Sequence, residues 1–115
     1  MPLIASVLPI LPGKTEAWKQ FLHEMSGPRK AEHAASRRRI GAKQETAFLQ
    51  QTPMGDMAVV ITDGDKTPVE ALQAIAKSND SFDVWFCEKM KEIHGMDLSQ
   101  LPSGPPPEKH FDYRV

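Results

Sequence analysis

Apolar positions along the chain switch between the two-residue period of strands and the longer period of helices, and the switches mark out the elements. Leu3 to Ile10, rich in Ile, Val and Leu, predicts a strand. Pro12-Gly13 turns the chain. Thr15 is placed to cap a helix with Trp18, Phe21, Leu22 and Met25 as its apolar stripe. Gly27 suits a left-handed cap and Pro28 a first helical turn, so a second helix follows from Arg29 to Ile40, closed by Gly41. Its small face is Ala31, Ala34 and Ala35, which permits a close approach to a sheet.

Lys43 to Gln51 and the more apolar Met57 to Thr62 read as strands joined through Thr52-Pro53-Met54-Gly55-Asp56, a hairpin with the second strand central. Thr67-Pro68-Val69-Glu70 combines a Thr cap, Pro at the first helical position and a Glu able to reach back, ahead of a helix packing Val69, Leu72, Ile75 and Ala76. Asp80 caps a fourth helix carrying Phe82, Trp85, Phe86, Met90 and Ile93, ended by Gly95. Leu101 to Pro107 holds four prolines and predicts an extended segment. Lys109 to Arg114 predicts a last short strand. The result is one α+β domain over residues 1–115, in the β-α-β-β-α-β order of a ferredoxin-like fold with split helices and an antiparallel four-stranded sheet. Strand alternation leaves apolar residues on both sheet faces: Ile4, Leu8 and Ile10 oppose Leu3, Ala5 and Val7. One helix layer covers one face, so sheet-to-sheet homodimerisation is the expected cover for the other.

The segments Leu11-Pro12-Gly13-Lys14-Thr15-Glu16-Ala17-Trp18, Leu49 to Asp56, Ser81-Phe82-Asp83-Val84-Trp85-Phe86 and His94-Gly95-Met96-Asp97-Leu98 resemble the dimeric α+β barrel superfamily. That superfamily includes antibiotic-biosynthesis monooxygenases, heme-degrading monooxygenases and some polyketide cyclases. More narrowly, the segments resemble a bacterial family within it to which no activity is attached. The resemblance implies a dimeric barrel with a pocket between sheet and helices in each protomer. It carries over no catalytic residue, because no motif of a characterised member matches.

Composition narrows the partners. Fourteen basic and fifteen acidic residues give a net charge of −1, without a global pull toward nucleic acid or an anionic membrane. No apolar run approaches the ~18 residues of a membrane span. Leu3 to Leu11 follows no basic residue and is broken by Pro9 and Pro12, so a strand is expected there rather than a leader. Cys87 is the single cysteine, which excludes an intrachain disulfide and is read as structural; a cytoplasmic protein is expected.

Candidate chemistry is scattered. His33 and Arg37 lie four apart and share a helix face. Turned to the sheet, they would offer a proton carrier and a fixed positive charge to an enolate-like substrate; turned outward, they would be solvated. Glu45 shares a strand side with Ala47 and Leu49. Buried alone, its pKa would rise and it would serve as a general base; the plainer alternative is a salt bridge to Arg37, Arg38 or Arg39. His110 and Tyr113 fall near the last strand, where they would reach a barrel interior. Trp18, Phe82, Trp85 and Phe86 would wall a pocket for an apolar ligand or simply form core. His94 beside Gly95 reads as a helix C-terminal residue favoured by the dipole. The basic stretch Arg37-Arg38-Arg39 has no interleaved aromatics, which argues against nucleic-acid binding. No metal motif and no cofactor fingerprint is present, so neither metal nor cofactor is expected.

Two functions follow. The first is a small-molecule-binding protein, in its enzymatic form a cofactor-independent monooxygenase or cyclase-like enzyme acting on a hydrophobic or aromatic compound. The second is a non-catalytic ligand- or protein-binding homodimer, or a structural one whose pocket its own aromatics fill.

Overall fold

The computed structural model describes residues 3–101, 105 and 107–115. In chain order it contains β1 (Ile4–Pro9), α1 (Thr15–Ser26), α2 (Lys30–Arg39), β2 (Ala42–Thr52), β3 (Gly55–Gly64), α3 (Pro68–Lys77), α4 (Ser81–His94) and a 3-10 turn at Leu98–Gln100. The strands form an antiparallel sheet in the order β1-β3-β2, with β3 central as its apolar content predicted. The register Leu8↔Ala58↔Leu49 and Ile4↔Thr62↔Glu45 fixes which side chains share a face. Ile4, Ser6, Leu8, Ala58, Val60, Thr62, Glu45, Ala47 and Leu49 look toward the helices.

Three helix ends follow the sequence. Thr67 accepts from the Glu70 backbone N–H while the Glu70 carboxylate accepts from the Thr67 N–H, a reciprocal cap with Pro68 at the first position. Asp80 accepts from the Phe82 N–H and starts α4. Gly95 ends α4 at φ 69°, in the left-handed region that glycine enters without a Cβ penalty. Thr15 differs from expectation. It lies inside α1, and its hydroxyl donates to Asp56 at 2.5 Å instead of capping, which ties α1 to the β2–β3 hairpin.

The core sits where α1, α2 and α4 meet. Phe21, Phe82, Phe86, Met90 and Ile93 are buried there with Trp18 and Ile75. Each contributes about 1.5–3 kcal/mol of apolar burial. The helix α3 packs on α4 and on the Leu98–Gln100 turn. At the other end of β3, a Cβ on Gly64 would stand 2.9 Å from the Gly41 carbonyl oxygen and 3.0 Å from the Ala42 Cα, so β2 and β3 close on each other through a position that has none.

The expected four-stranded sheet is corrected to three strands. Residues 109–114 form no strand, and Phe111, Tyr113 and Val115 stand exposed. The charged side chains of this segment pair locally, Lys109 with Asp112, Arg114 with Asp112 and His110 with Glu108, and its apolar ones meet no core. Both outer strands, β1 and β2, therefore keep a free edge among the described residues. Much of the proline segment, residues 102–104 and 106, lies outside the described residues. Among the described residues nothing covers the sheet face away from the helices: Val7, Val59 and Phe48 form one cross-strand row on it, with Val7 61% and Phe48 56% exposed. Among the described residues, no helix is long and apolar enough to cross a membrane.

Candidate functional site

Between the helix-facing side of the sheet and the helices lies a cavity of about 770 Å³. Leu8, Ala47 and Val60 form its floor, Trp18, Phe21, Phe86 and Met90 its helical wall, and Leu72 and Ile75 of α3 its far side. A space of this size and apolar character is of the kind that small-molecule ligands occupy.

One end of the cavity is polar. Helix α2 presents His33 and Arg37 one turn apart, and β2 presents Glu45 opposite them. The His33 Nε2–H donates to Glu45 Oε1 at 2.9 Å, and the Arg37 Nε–H donates to Glu45 Oε2 at 2.9 Å. Arg37 also donates from Nη1 to Ser36 Oγ at 3.2 Å, and its guanidinium carbon lies 4.7 Å above the Phe86 ring. All three charged or titratable side chains line the cavity. Burial pushes the Glu45 carboxyl upward, but the His33 hydrogen bond and the charge and hydrogen bond of Arg37 outweigh it and hold the group below its ordinary range. The salt bridge is therefore the reading that applies to Glu45, and the raised-pKa base is not: a lone buried carboxylate would titrate high, and this one is not alone.

Behind this cluster, Ser36 Oγ donates to Asp83 Oδ1 at 2.6 Å, and Arg39 donates to Asp83 Oδ2 at 3.0 Å. Burial pushes the Asp83 pKa upward, while the hydroxyls of Ser36 and Ser78 together with the hydrogen bond and charge of Arg39 outweigh it and hold the carboxyl below its ordinary range. Neither Ser36 nor Asp83 lines the cavity.

Of the residues singled out from sequence, His33, Arg37, Glu45, Trp18 and Phe86 meet at the cavity. Phe82 and Trp85 do not line it. Their rings pack 5.4 Å apart within the helical layer, Phe21 stands 5.4 Å from Trp85, and Arg29 covers the Trp85 ring at 4.3 Å. His110 and Tyr113 are a correction: without a fourth strand to carry them inward, both are exposed in the C-terminal segment.

His94 is the residue that sequence reasoning placed only as a helix end. It is 5% exposed, lines the cavity, and its Nδ1–H donates to the Pro9 carbonyl at 2.8 Å. Burial pushes its pKa down, against the smaller opposing effect of that hydrogen bond. The spacing Phe86, Met90, His94 was the available signal, since steps of four keep all three on one face of α4. Asp63 also lines the cavity, and its Oδ1 is buried without a hydrogen-bond partner among the described residues. No family model, curated protein or solved structure matches the chain.

Proposed function

We propose that the chain is a small-molecule-binding protein of the ferredoxin-like, dimeric α+β barrel type, whose cavity takes a hydrophobic or aromatic compound. The observation that carries this reading is the cavity of about 770 Å³, apolar along its length and polar at one end through His33, Arg37 and Glu45. Apolar walls supply affinity and the polar end orients the ligand. In the enzymatic form, a monooxygenase- or cyclase-type reaction without a cofactor, His33 exchanges a proton with the ligand and Arg37 faces an oxyanion developing on it.

Thermal denaturation of the purified protein against a panel of hydroxylated and unsubstituted aromatic compounds tests the binding. At least one member should raise the melting temperature by several degrees at saturating concentration. A panel without any stabilising member would sink the reading. Each stabilising compound is then incubated with protein in air and followed by mass spectrometry for product.

One observation favours the non-catalytic form. Both Glu45 oxygens already accept hydrogen bonds, from His33 and from Arg37, so the site holds its acid–base groups against each other. Binding without conversion is what such an arrangement supports.

The uncovered face with Val7, Val59 and Phe48 supports a homodimer formed sheet to sheet. Light scattering at micromolar concentration should give twice the chain mass. The double variant V7E and F48E should give the chain mass. A monomeric wild type refutes the dimer and leaves the cavity untouched.

A further inference from the structure

Two buried polar groups on the cavity wall have hydrogen-bonding capacity left over, and they differ in kind. Arg37, its side chain 9% exposed, spends one N–H on Glu45 and one on Ser36. A guanidinium carries five. The remaining N–H groups have no partner among the described residues, and Arg37 lines the cavity. His94 is the converse. A carbonyl oxygen only accepts, so the bond to Pro9 places the imidazole proton on Nδ1 and leaves the Nε2 lone pair unused. Asp63 Oδ1 is the one side-chain polar atom both sealed and unpartnered among the described residues, so Nε2 is not sealed in the core. His94 itself lines the cavity.

The two groups stand at separate places along α4. Arg37 sits over Phe86, and His94 lies eight residues further along the helix. At 1.5 Å per residue, that is on the order of 10 Å. Between them the wall is Met90, and the floor is Leu8 and Val60. The cations lining the cavity are Lys30, Arg37 and Lys66, against the carboxylates Glu45 and Asp63, an excess of one positive charge.

We propose that this cavity is a site for hydroxylated aromatic carboxylic acids, bound with the carboxylate on the spare N–H groups of Arg37 and the hydroxyl donating to Nε2 of His94. The proposal rests on the small-molecule reading above and assigns the ligand class and its direction in the site. The donor at one end rejects a ligand without an anion or acceptor there. The acceptor at the other rejects one that cannot donate, because a buried lone pair then stays unpaired.

The test is calorimetric titration of the full chain at neutral pH with three probes: 6-hydroxy-2-naphthoic acid, its 6-methoxy analogue, and the methyl ester of the hydroxy acid. Each hydrogen bond in question is worth a fivefold to tenfold change in affinity by ordinary magnitudes, roughly. The hydroxy acid should bind about fivefold tighter than the methoxy acid and about tenfold tighter than the ester. In H94N, the asparagine amide nitrogen takes the place of Nδ1 and keeps the bond to Pro9, while nothing replaces Nε2. The hydroxy-to-methoxy ratio should fall to about one, with the acid-to-ester ratio retained. In R37Q the two ratios should exchange behaviour. Equal binding of hydroxy and methoxy acids by the wild type, or a ratio that survives in H94N, overturns the assignment while the cavity remains a ligand site. No binding of any of the three overturns both. The wild-type ratios and H94N decide the matter even if R37Q does not fold.

Discussion

Two carboxylates reach α2 from opposite sides, and they are used differently. Asp83 comes from α4, its side chain is 3% exposed, and both oxygens are taken by Ser36 and Arg39 away from the cavity. Glu45 comes from β2, about a third of its side chain is exposed, and the groups it holds, His33 and Arg37, face the cavity. The first pair of contacts joins α2 to α4 and makes scaffold. The second orders a donor that still has N–H groups to give. Hydrogen bonding alone does not separate the two; what separates them is that the groups Glu45 holds line the cavity and those Asp83 holds do not.

The comparison breaks most readily at Asp83. D83A leaves the buried Ser36 hydroxyl without its acceptor and should cost about 2–3 kcal/mol, a fall in melting temperature of roughly 10 °C. A thermal melt within a degree or two of wild type would remove Asp83 from the scaffold. E45Q should cost less, about 1 kcal/mol or under, because the pair it weakens is partly solvated. It should also tighten binding of 6-hydroxy-2-naphthoate by about threefold, since a negative charge leaves the side of Arg37. If E45Q destabilises more than D83A, the two roles are reversed.

The smallest effect is in the pH dependence. His94 has a depressed pKa when folded and an ordinary one of about 6.5 when unfolded. The unfolded chain therefore binds the proton first, and the stability from neutral His94, complete above pH 6.5, is lost as pH falls through the folded value. Melting temperature should decline between pH 7 and pH 5.5, and H94N should flatten that part of the decline. Glu45 and Asp83 act lower. Their folded pKa values lie below the ordinary ones, so their contribution is present above about pH 4.5 and goes as pH falls through the folded values. An H94N profile parallel to wild type across the neutral window would mean that burial does not lower the pKa of His94.

Much of the helical layer was legible in the chain. Thr67-Pro68-Val69-Glu70 and Asp80 announce α3 and α4 by local chemistry, which a sequence carries in full. The centrality of β3 followed from its apolar content. The last strand was not legible, because Phe111, Tyr113 and Val115 alternate as a strand does, and alternation says nothing about whether an edge is there to pair with. The cavity was half legible. His33, Arg37 and Glu45 were named, and the pairing of Glu45 was one of two stated alternatives. His94 was read by its place at a helix end, when its step of four from Met90 put it on the cavity face. Its partner, the Pro9 carbonyl, lies 85 residues away along the chain, beyond any local reading.

Gly64 carries a consequence for how wide the cavity is. The chain leaves the sheet there for α3, whose Leu72 and Ile75 are the far wall, and α3 itself packs on α4 and the Leu98–Gln100 turn. The strand end can close down on Gly41 and Ala42 because position 64 has no Cβ. A methyl group at this one place would have to push the ends of β2 and β3 apart, and Gly64 and Ala42 themselves line the cavity. The fit of the wall there depends on an atom that the sequence leaves out.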